Sequence, residues 1–120
     1  MRSLDRTHCL LFVYGSLKRG GANHQQLDAA EYVAKARTAA RFGLRVIDGY
    51  PALVAGSRRI VGELYRILVG SLPVLDEFEG SGYVRQEIEL DGREPALAYL
   101  SRAPGAGVPY SGDEWPMLPD

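Results

Sequence analysis

The first clear block of apolar positions runs from Cys9 to Tyr14 and consists of residues that favour strands. It stops at Gly15, a residue that interrupts regular structure, so we predict a buried strand followed by a loop to about Gly21. The segment from Asn23 to Leu27 then predicts one or two helical turns. Asn23 is the expected N-cap, because an Asn side chain at that position accepts hydrogen bonds from the first free N–H groups.

A weak alternation of apolar and polar positions follows from Tyr32 to Ala55. It is broken at Asp48-Gly49 and again at Tyr50-Pro51, pairs of residues that are typical of turns. This stretch therefore favours two or three strands. The alternation is clearer from Ile60 to Leu68, which predicts a further strand.

A short helix is predicted between Ser71 and Gly80. Its apolar residues recur at helical spacing, at Leu72, Leu75 and Phe78. Ser71 is suited to cap the start of this helix, Pro73 is tolerated in the first turn, and Gly80 is suited to end it. Glu79 is then expected at the C-terminal end of the helix.

The last predicted strands are Tyr83 to Leu90 and Ala96 to Leu100, separated by the hairpin signal Asp91-Gly92. Residues 101–120 are rich in Pro and Gly and are expected to be mostly irregular. Six or seven evenly spaced short strands with one or two short helices predict an α+β fold, with a small mixed sheet curled towards a β-barrel. The mouth of such a barrel can hold a small ligand.

The composition changes this picture little but excludes several classes of protein. With 120 residues we expect a single domain over residues 1–120, less regular at 1–7 and 101–120. No apolar stretch approaches the roughly 20 residues that a membrane span needs, and charges at the start of the chain argue against an export signal. A cytoplasmic protein is therefore expected. The net charge is −1 with scattered Lys and Arg, so a small molecule is a better partner than nucleic acid or a membrane surface.

The loop from Tyr14 to Gly21 is the first candidate for chemistry. Glycine lets the backbone approach a ligand closely, and successive N–H groups at the end of a strand can converge on a carboxylate or an oxyanion. A plain tight turn remains the alternative, because Gly and Ser are common turn residues. The spacing of Gly15 and Gly20 would open a phosphate loop, but Gly21-Ala22 stand where that motif requires Lys and then Ser or Thr.

Glu79 is the second candidate. A carboxylate at a helix C-terminus meets the negative end of the helix dipole, and Asp76 and Glu77 are close in sequence, so we expect a raised pKa for Glu79. A raised pKa suits a group that takes and gives a proton near neutral pH. The alternative is an ordinary exposed glutamate on the polar face of the helix.

Other chemistries have less support in the sequence. The chain has two His and one Cys without the spacing of a metal site, so no metal is expected. The single cysteine, Cys9, lies within the first apolar run and is interpreted as a small buried residue rather than a nucleophile. Ser16 lacks the Gly-x-Ser-x-Gly context of a serine hydrolase.

Several of these motifs occur together in an order that is specific although each piece is short. They are Phe12-Val13-Tyr14-Gly15-Ser16-Leu17-Lys18-Arg19-Gly20, then Asn23-His24, Tyr50-Pro51, Leu75-Asp76-Glu77-Phe78-Glu79-Gly80 and Tyr83-x-Arg85. Over about residues 9 to 100 the chain thereby resembles the γ-glutamylcyclotransferase-like family, and most closely its small γ-glutamylamine cyclotransferase branch.

The resemblance implies a fold, a reaction and a set of site residues. The fold is a small mixed barrel whose mouth holds a γ-glutamyl group, without a cofactor. The backbone of Tyr14, Gly15, Ser16 and Leu17 would bind the substrate, and Glu79 would be the general acid/base. Ser16 stands where many relatives have Thr, which keeps the hydroxyl. Tyr83 would line the cavity, whereas Arg85 is expected to have a structural partner.

The implied reaction converts a γ-glutamyl amine or amide to 5-oxoproline and a free amine. The α-nitrogen of the substrate attacks its own γ-carbonyl through a five-membered ring, so no external nucleophile is needed. One alternative is a module that binds a small anionic γ-glutamyl-like metabolite without turnover. Another is a cyclotransferase that removes a protecting group in a biosynthetic pathway. The sequence does not determine which amine is released or what the oligomeric state is. It also does not show whether the loop N–H groups bind the α-carboxylate or the oxyanion.

Overall fold

The computed structural model describes residues 7–21, 23–27 and 29–116. Regular elements in these residues are β1 (His8–Val13), a 3₁₀ helix (His24–Leu27), β2 (Glu31–Arg37), β3 (Phe42–Ile47), β4 (Tyr50–Ala55), β5 (Val61–Leu68), a 3₁₀ turn (Val69–Ser71), α1 (Leu72–Glu79), β6 (Tyr83–Leu90), β7 (Arg93–Ser101) and β8 (Val108–Tyr110). The irregular start expected for residues 1–7 lies, apart from Thr7, outside the described residues.

The strands form one curled, mixed sheet. Its order is β2-β5-β1-β7-β4-β3-β8, and β6 pairs with β7 beside this path. An antiparallel bridge between Thr38 and Leu90 connects the end of β2 to the end of β6, which curls that part of the sheet. This half-barrel with one short α-helix confirms the predicted α+β fold with a small mixed barrel.

Strand β7 is the centre of the sheet because three strands pair with it. β6 runs antiparallel to it along most of its length, from Tyr83↔Ser101 to Leu90↔Arg93. β1 pairs with it in parallel at Leu11↔Leu97, and β4 pairs in parallel at Leu53↔Leu100. Since a strand has two edges and β6 occupies one of them, β1 and β4 share the other edge and diverge from it.

Two apolar clusters lie on opposite faces of β1, as strand alternation requires. The cluster on the concave face contains Phe12, Tyr14, Ala36, Leu44, Leu53, Ile60, Leu64, Ile88, Leu90, Ala96 and Ala98. The cluster on the other face, which α1 and the first 3₁₀ helix cover, contains Leu11, Val13, Leu17, Leu27, Tyr65, Ile67, Leu72, Leu75 and Tyr99.

Helix α1 begins after Ser71 and ends before Gly80 as predicted, but the predicted cap by the Ser71 side chain is wrong. Gly80 follows the last turn at φ 82°, and its N–H donates to the Asp76 carbonyl at 3.0 Å. Ser71 precedes the helix without capping it, because its hydroxyl donates to the Leu68 carbonyl at 2.7 Å. Within the described residues, the structure contains no helix long and apolar enough to cross a membrane.

Two details go beyond or differ from the sequence predictions. Residues 101–120 are expected to be mostly irregular, and among them residues 108–110 form β8, which pairs with β3 from Leu44↔Tyr110 to Val46↔Val108. The helical turn predicted after Asn23 forms over His24–Leu27, but the Asn23 side chain does not cap it; its amide nitrogen instead donates to the Ser16 hydroxyl at 2.8 Å. The pairing of β8 with β3 joins segments far apart in the chain, whereas the contact of Asn23 with Ser16 spans only seven residues.

Candidate active site

A cavity of about 530 Å³ opens between the end of β1 and the start of β4. Each predicted site residue, Tyr14, Gly15, Ser16, Leu17 and Glu79, contributes to its wall, as does Tyr83. The remaining lining residues are Phe12, Val13, Asn23, Ile47, Asp48, Tyr50, Pro51, Phe78, Gly82 and Tyr99. The structure thus brings the loop after β1 and the end of α1 to one concave surface.

The loop after β1 is a compact turn with free N–H donors. The Lys18 N–H donates to the Gly15 carbonyl at 3.0 Å and closes the turn. Among the described residues we find no acceptor for the N–H groups of Gly15, Ser16 or Leu17. Three successive N–H groups without an acceptor, in residues that line the cavity, are available to bind an anionic oxygen.

The segment after the loop fixes the shape of this turn. The Asn23 N–H donates to the Ser16 carbonyl at 3.0 Å, and its side-chain amide donates to the Ser16 hydroxyl at 2.8 Å. His24 Nδ1 lies 2.9 Å from the Leu17 carbonyl and donates to it. Asn23 and His24 therefore occupy the outward-facing polar groups of the loop, which leaves the backbone N–H groups available.

Lys18 anchors the loop on its other side. Its side chain is buried, and Nζ donates to the Trp115 carbonyl at 2.6 Å, with Glu114 at 3.9 Å. Burial lowers the pKa of Lys18 despite these partners. This contact fastens the loop to the end of the described chain and gives the buried ammonium a structural role, away from the cavity lining.

Gly15 is required where β1 and β4 come together. A Cβ on Gly15 would lie 2.7 Å from Cγ of Pro51, closer than real Cβ atoms approach a neighbour. The glycine in the motif therefore permits close approach of the loop to β4. It does not supply a left-handed conformation, since its φ is not positive.

Tyr14 contributes to the cavity wall while its hydroxyl is occupied elsewhere. That hydroxyl donates to the Tyr99 carbonyl at 2.6 Å and accepts from the Leu53 N–H at 3.0 Å. It bridges β7 and β4 at the place where their pairing is minimal. Burial raises the pKa of Tyr14 far above its ordinary value, so this hydroxyl does not titrate near neutral pH.

Glu79 lies at the last position of α1, between the interior and solvent. Burial raises its pKa from the ordinary 4.5 to about 7. The predicted direction of the shift is confirmed, but the predicted cause is wrong. The carboxylates of Asp76 and Glu77 do not produce the shift; loss of hydration in the cavity does.

Two tyrosines stand beside Glu79 in the cavity. The Tyr83 hydroxyl donates to the Pro51 carbonyl at 3.2 Å, so this side chain reaches from β6 to β4. Burial, and then the nearby Glu79 carboxylate, raise the pKa of Tyr83. The Tyr99 hydroxyl donates to Asp76 Oδ1 at 2.7 Å, and burial raises its pKa as well.

Arg85 has the structural partner that the sequence predicts. Its Nη1 lies 3.3 Å from Asp76 Oδ2, in an ion pair without good hydrogen-bond geometry.

Cys9 is half-buried and packs beside the outer apolar cluster, outside the cavity lining. In the described part of the chain, His, Cys, Asp and Glu side chains nowhere gather in a group of three that could hold a metal ion.

Sequence reasoning did not place Asn23, Asp48 or Tyr50 in the site. Asn23 and Tyr50 had a signal, since Asn23-His24 and Tyr50-Pro51 belong to the ordered motifs, but the contact of Asn23 with Ser16 depends on the turn between them. Asp48 and Tyr50 lie in the β3–β4 hairpin, where Asp48 and Gly49 have positive φ of 52° and 83°. This turn carries both side chains over the cavity from a distant segment.

Comparison with protein families gives a match over most of the chain. Residues 11–117 match a family model described as "Gamma-glutamyl cyclotransferase, AIG2-like". This range contains the loop after β1, α1 and every strand except the beginning of β1.

Individual relatives agree with this match. The chain is 35% identical over 114 residues to a human gamma-glutamylaminecyclotransferase, an alignment that covers 83% of this chain and 69% of that protein. It is 34% identical over 70 residues to a putative gamma-glutamylcyclotransferase of Vibrio cholerae, and here the alignment covers 58% of this chain and 61% of the relative's length. The crystal structure of a mouse AIG2-like protein superposes with a TM-score of 0.78 at 25% identity, covering 92% of this chain and 89% of that one.

Proposed function

The chain belongs to the gamma-glutamyl cyclotransferase, AIG2-like family, and from that premise we propose that it converts a γ-glutamyl amine or amide to 5-oxoproline and a free amine. Glu79 is the general acid/base in this proposal, and the backbone of Tyr14 to Leu17 binds the γ-glutamyl group. The main support for this proposal is that a carboxylate with a pKa of about 7 lines the same cavity as three residues whose backbone N–H groups have no hydrogen-bond acceptor.

The substrate provides both reacting groups, so the enzyme has to fold it and move protons. Glu79, as a carboxylate, takes a proton from the α-ammonium, and the freed nitrogen attacks the γ-carbonyl carbon to close a five-membered ring. The bond from that carbon to the departing nitrogen then breaks. The attacking nitrogen loses two protons and the departing nitrogen gains two as it leaves as an ammonium ion. Glu79 returns to its carboxylate form, and no water is consumed.

The loop N–H groups supply the electrostatic part of the mechanism. An oxygen of the substrate that lies in the turn receives hydrogen bonds from donors that already point at it. Tyr14 holds this turn to β4 and β7, and Asn23 holds it from the other side. The donors are therefore fixed before the substrate arrives.

The direct test measures release of 5-oxoproline from a panel of γ-glutamyl amines by the wild type and by Glu79→Gln. Gln keeps the shape of the side chain but does not transfer a proton, so we expect turnover to fall about 10²- to 10⁴-fold. The matched control is Glu77→Gln, which changes an exposed glutamate on the same helix outside the cavity lining. Equal turnover by wild type and Glu79→Gln would remove Glu79 from the mechanism.

Tight binding of 5-oxoproline without product formation from any substrate would favour a binding module instead.

A cytoplasmic location is part of the same proposal, and cell fractionation tests it.

A further inference from the structure

The two halves of α1 are held to the sheet in different ways. In the first half, Leu72 and Leu75 are buried in the outer apolar cluster. In the second half the apolar side chain is Phe78, which is 39% exposed. Apolar packing therefore fixes the start of the helix and leaves the turn that carries Glu79 without a buried anchor.

Polar contacts of Asp76 replace that anchor. Oδ1 accepts the Tyr99 hydroxyl at 2.7 Å, and Oδ2 lies 3.3 Å from Arg85 Nη1. Tyr99 and Arg85 are paired neighbours on β7 and β6, so one carboxylate contacts two adjacent strands. An eight-residue helix is marginal by itself, which makes such a contact important for the position of its last turn.

Tyr99 also holds the other half of the site. Its carbonyl accepts the Tyr14 hydroxyl at 2.6 Å, while its own hydroxyl reaches Asp76. The loop with the free N–H groups and the helix with the proton carrier are thus attached to the same residue of β7. The distance between the two halves depends on this shared attachment.

We propose that Tyr99 and Asp76 are positioning residues, which hold the Glu79 carboxylate at a fixed distance from the substrate-binding loop. The proposal rests on the proposed function, in which Glu79 transfers the proton. The other titratable groups that line the cavity with Glu79 are Tyr14, Asp48, Tyr50, Tyr83 and Tyr99, while Asp76, paired with Arg85, and Glu77 lie on its own helix.

Tyr99→Phe is the cleanest variant because it removes one hydroxyl and leaves Asp76 paired with Arg85. Without the hydrogen bond, the last turn of α1 moves away from the sheet and Glu79 becomes hydrated. We expect kcat to fall about 10- to 100-fold with little change in KM, since small displacements of a reacting group cost that much. We also expect the acid limb of the pH profile to move below pH 7, because hydration favours the carboxylate.

Tyr65→Phe is the matched control. Tyr65 is as buried as Tyr99, lies in the same apolar cluster and also donates to a carboxylate, that of Glu63 at 2.9 Å. It does not line the cavity. We expect a similar loss of thermal stability from this variant with an unchanged kcat and acid limb. A change in kcat and pH profile shared by both variants would overturn the proposal.

Asp76→Glu gives a second variant that keeps the charge opposite Arg85 and displaces the carboxylate by one methylene. We expect it to lower kcat with little effect on KM, as Tyr99→Phe does. Wild-type kcat in both folded variants would overturn the proposal.

A readout independent of turnover separates this proposal from the proposed function. The pKa of Glu79 can be measured by NMR on protein with labelled glutamate side chains, with the signal assigned by its loss in Glu79→Gln. A lower pKa in Tyr99→Phe, but not in Tyr65→Phe, supports positioning even if no γ-glutamyl compound is turned over. The same pKa in all three proteins overturns it, whatever the activity of the wild type.

Discussion

Three carboxylates within one turn of α1, those of Asp76, Glu77 and Glu79, lie in three different environments. Asp76 is engaged by Tyr99 and Arg85, Glu77 is exposed, and Glu79 contributes to the cavity wall. Burial alone raises the pKa of Glu79, so the chemistry of this residue depends on which side of the helix faces the cavity. The number of acidic residues in this segment of the sequence does not show which of the three carboxylates has the raised pKa.

The pH dependence of activity follows from the pKa of Glu79. The carboxylate form is the one that accepts a proton, and its folded-state pKa is raised to about 7. We therefore expect kcat/KM for 5-oxoproline release to fall about tenfold per pH unit as the pH drops below 7. Initial rates between pH 5 and 8 test this, with thermal melting at each pH to exclude unfolding. An acid limb near the ordinary glutamate pKa of 4.5 would contradict it.

Gly15→Ala is expected to damage the site through contact with β4. The added Cβ would meet Pro51 at 2.7 Å, so the loop or the strand must shift. Overpacking of this kind costs about 1–3 kcal/mol, and we expect a lower melting temperature together with a higher KM for the γ-glutamyl substrate. Gly43→Ala is the control, because a Cβ at Gly43 in β3 meets no atom within 4 Å. Equal effects of the two changes would argue against a special role for the close approach.

The residues of the site were predictable where the signal is local. The loop from Tyr14 to Leu17 and Glu79 belong to continuous motifs, and the structure places them around one cavity. Asn23 belongs to one of the ordered motifs, although no role followed from it, whereas Asp48 reaches the cavity through a turn whose direction depends on the rest of the fold, and no local pattern places it there.

At the level of elements, local patterns predicted most of the strands. Even the weak alternation from Tyr32 to Ala55, which predicts two or three strands, corresponds to β2, β3 and β4. β6 (Tyr83–Leu90) begins and ends as predicted, because its alternation is bounded by clear turn residues. β8 (Val108–Tyr110) has three residues including a proline, and its pairing with β3 rather than its own sequence makes it a strand. Short edge strands of this kind are determined by their partner.

The end of α1 offers a test at this scale. Gly80 has φ 82° and ψ −176°, a conformation that is essentially restricted to glycine, and a Cβ there would meet no atom within 4 Å. Gly80→Ala is therefore expected to cost about 1–3 kcal/mol of stability through backbone strain alone. Because Gly80 follows Glu79, kcat should fall as well.

Chemical denaturation of Gly80→Ala and Gly70→Ala measures the difference. Gly70, just before α1, also has open space around its Cα but lacks a positive φ, so its substitution controls for the added methyl group. A destabilisation of the same size at Gly70 would show that strain at Gly80 is not the cause.

At the scale of the whole molecule, the cavity exists because β1 and β4 share one edge of β7. Tyr14 lies where β1 and β4 diverge, and its hydroxyl forms hydrogen bonds with the Tyr99 carbonyl and the Leu53 N–H. The candidate site is the cavity next to this side chain. The number and even spacing of the predicted strands indicated a curled sheet. They did not predict this strand order, since pairing between β1, β4 and β7 joins segments far apart in the chain and no local pattern encodes it.

The charge of the cavity leads to a prediction about the leaving amine. Asp48 and Glu79 line it, and its described lining residues include no Lys, Arg or His. A γ-glutamyl amide whose amine carries a second positive charge is therefore expected to have a lower KM than one with a neutral alkyl amine of equal length. Because Asp48 is exposed, the difference should be about 2- to 5-fold and should shrink at high salt.

Asp48→Asn tests the origin of this preference and keeps the turn, since Asn also tolerates the positive φ of 52° at this position. We expect the KM for the charged substrate to rise to that of the neutral one, with the KM for the neutral substrate unchanged. Glu94→Gln removes an exposed carboxylate from β7 outside the cavity and should leave both values as in the wild type. A preference that survives in Asp48→Asn, or disappears equally in Glu94→Gln, would show that the overall charge of the protein selects the amine and the β3–β4 turn does not.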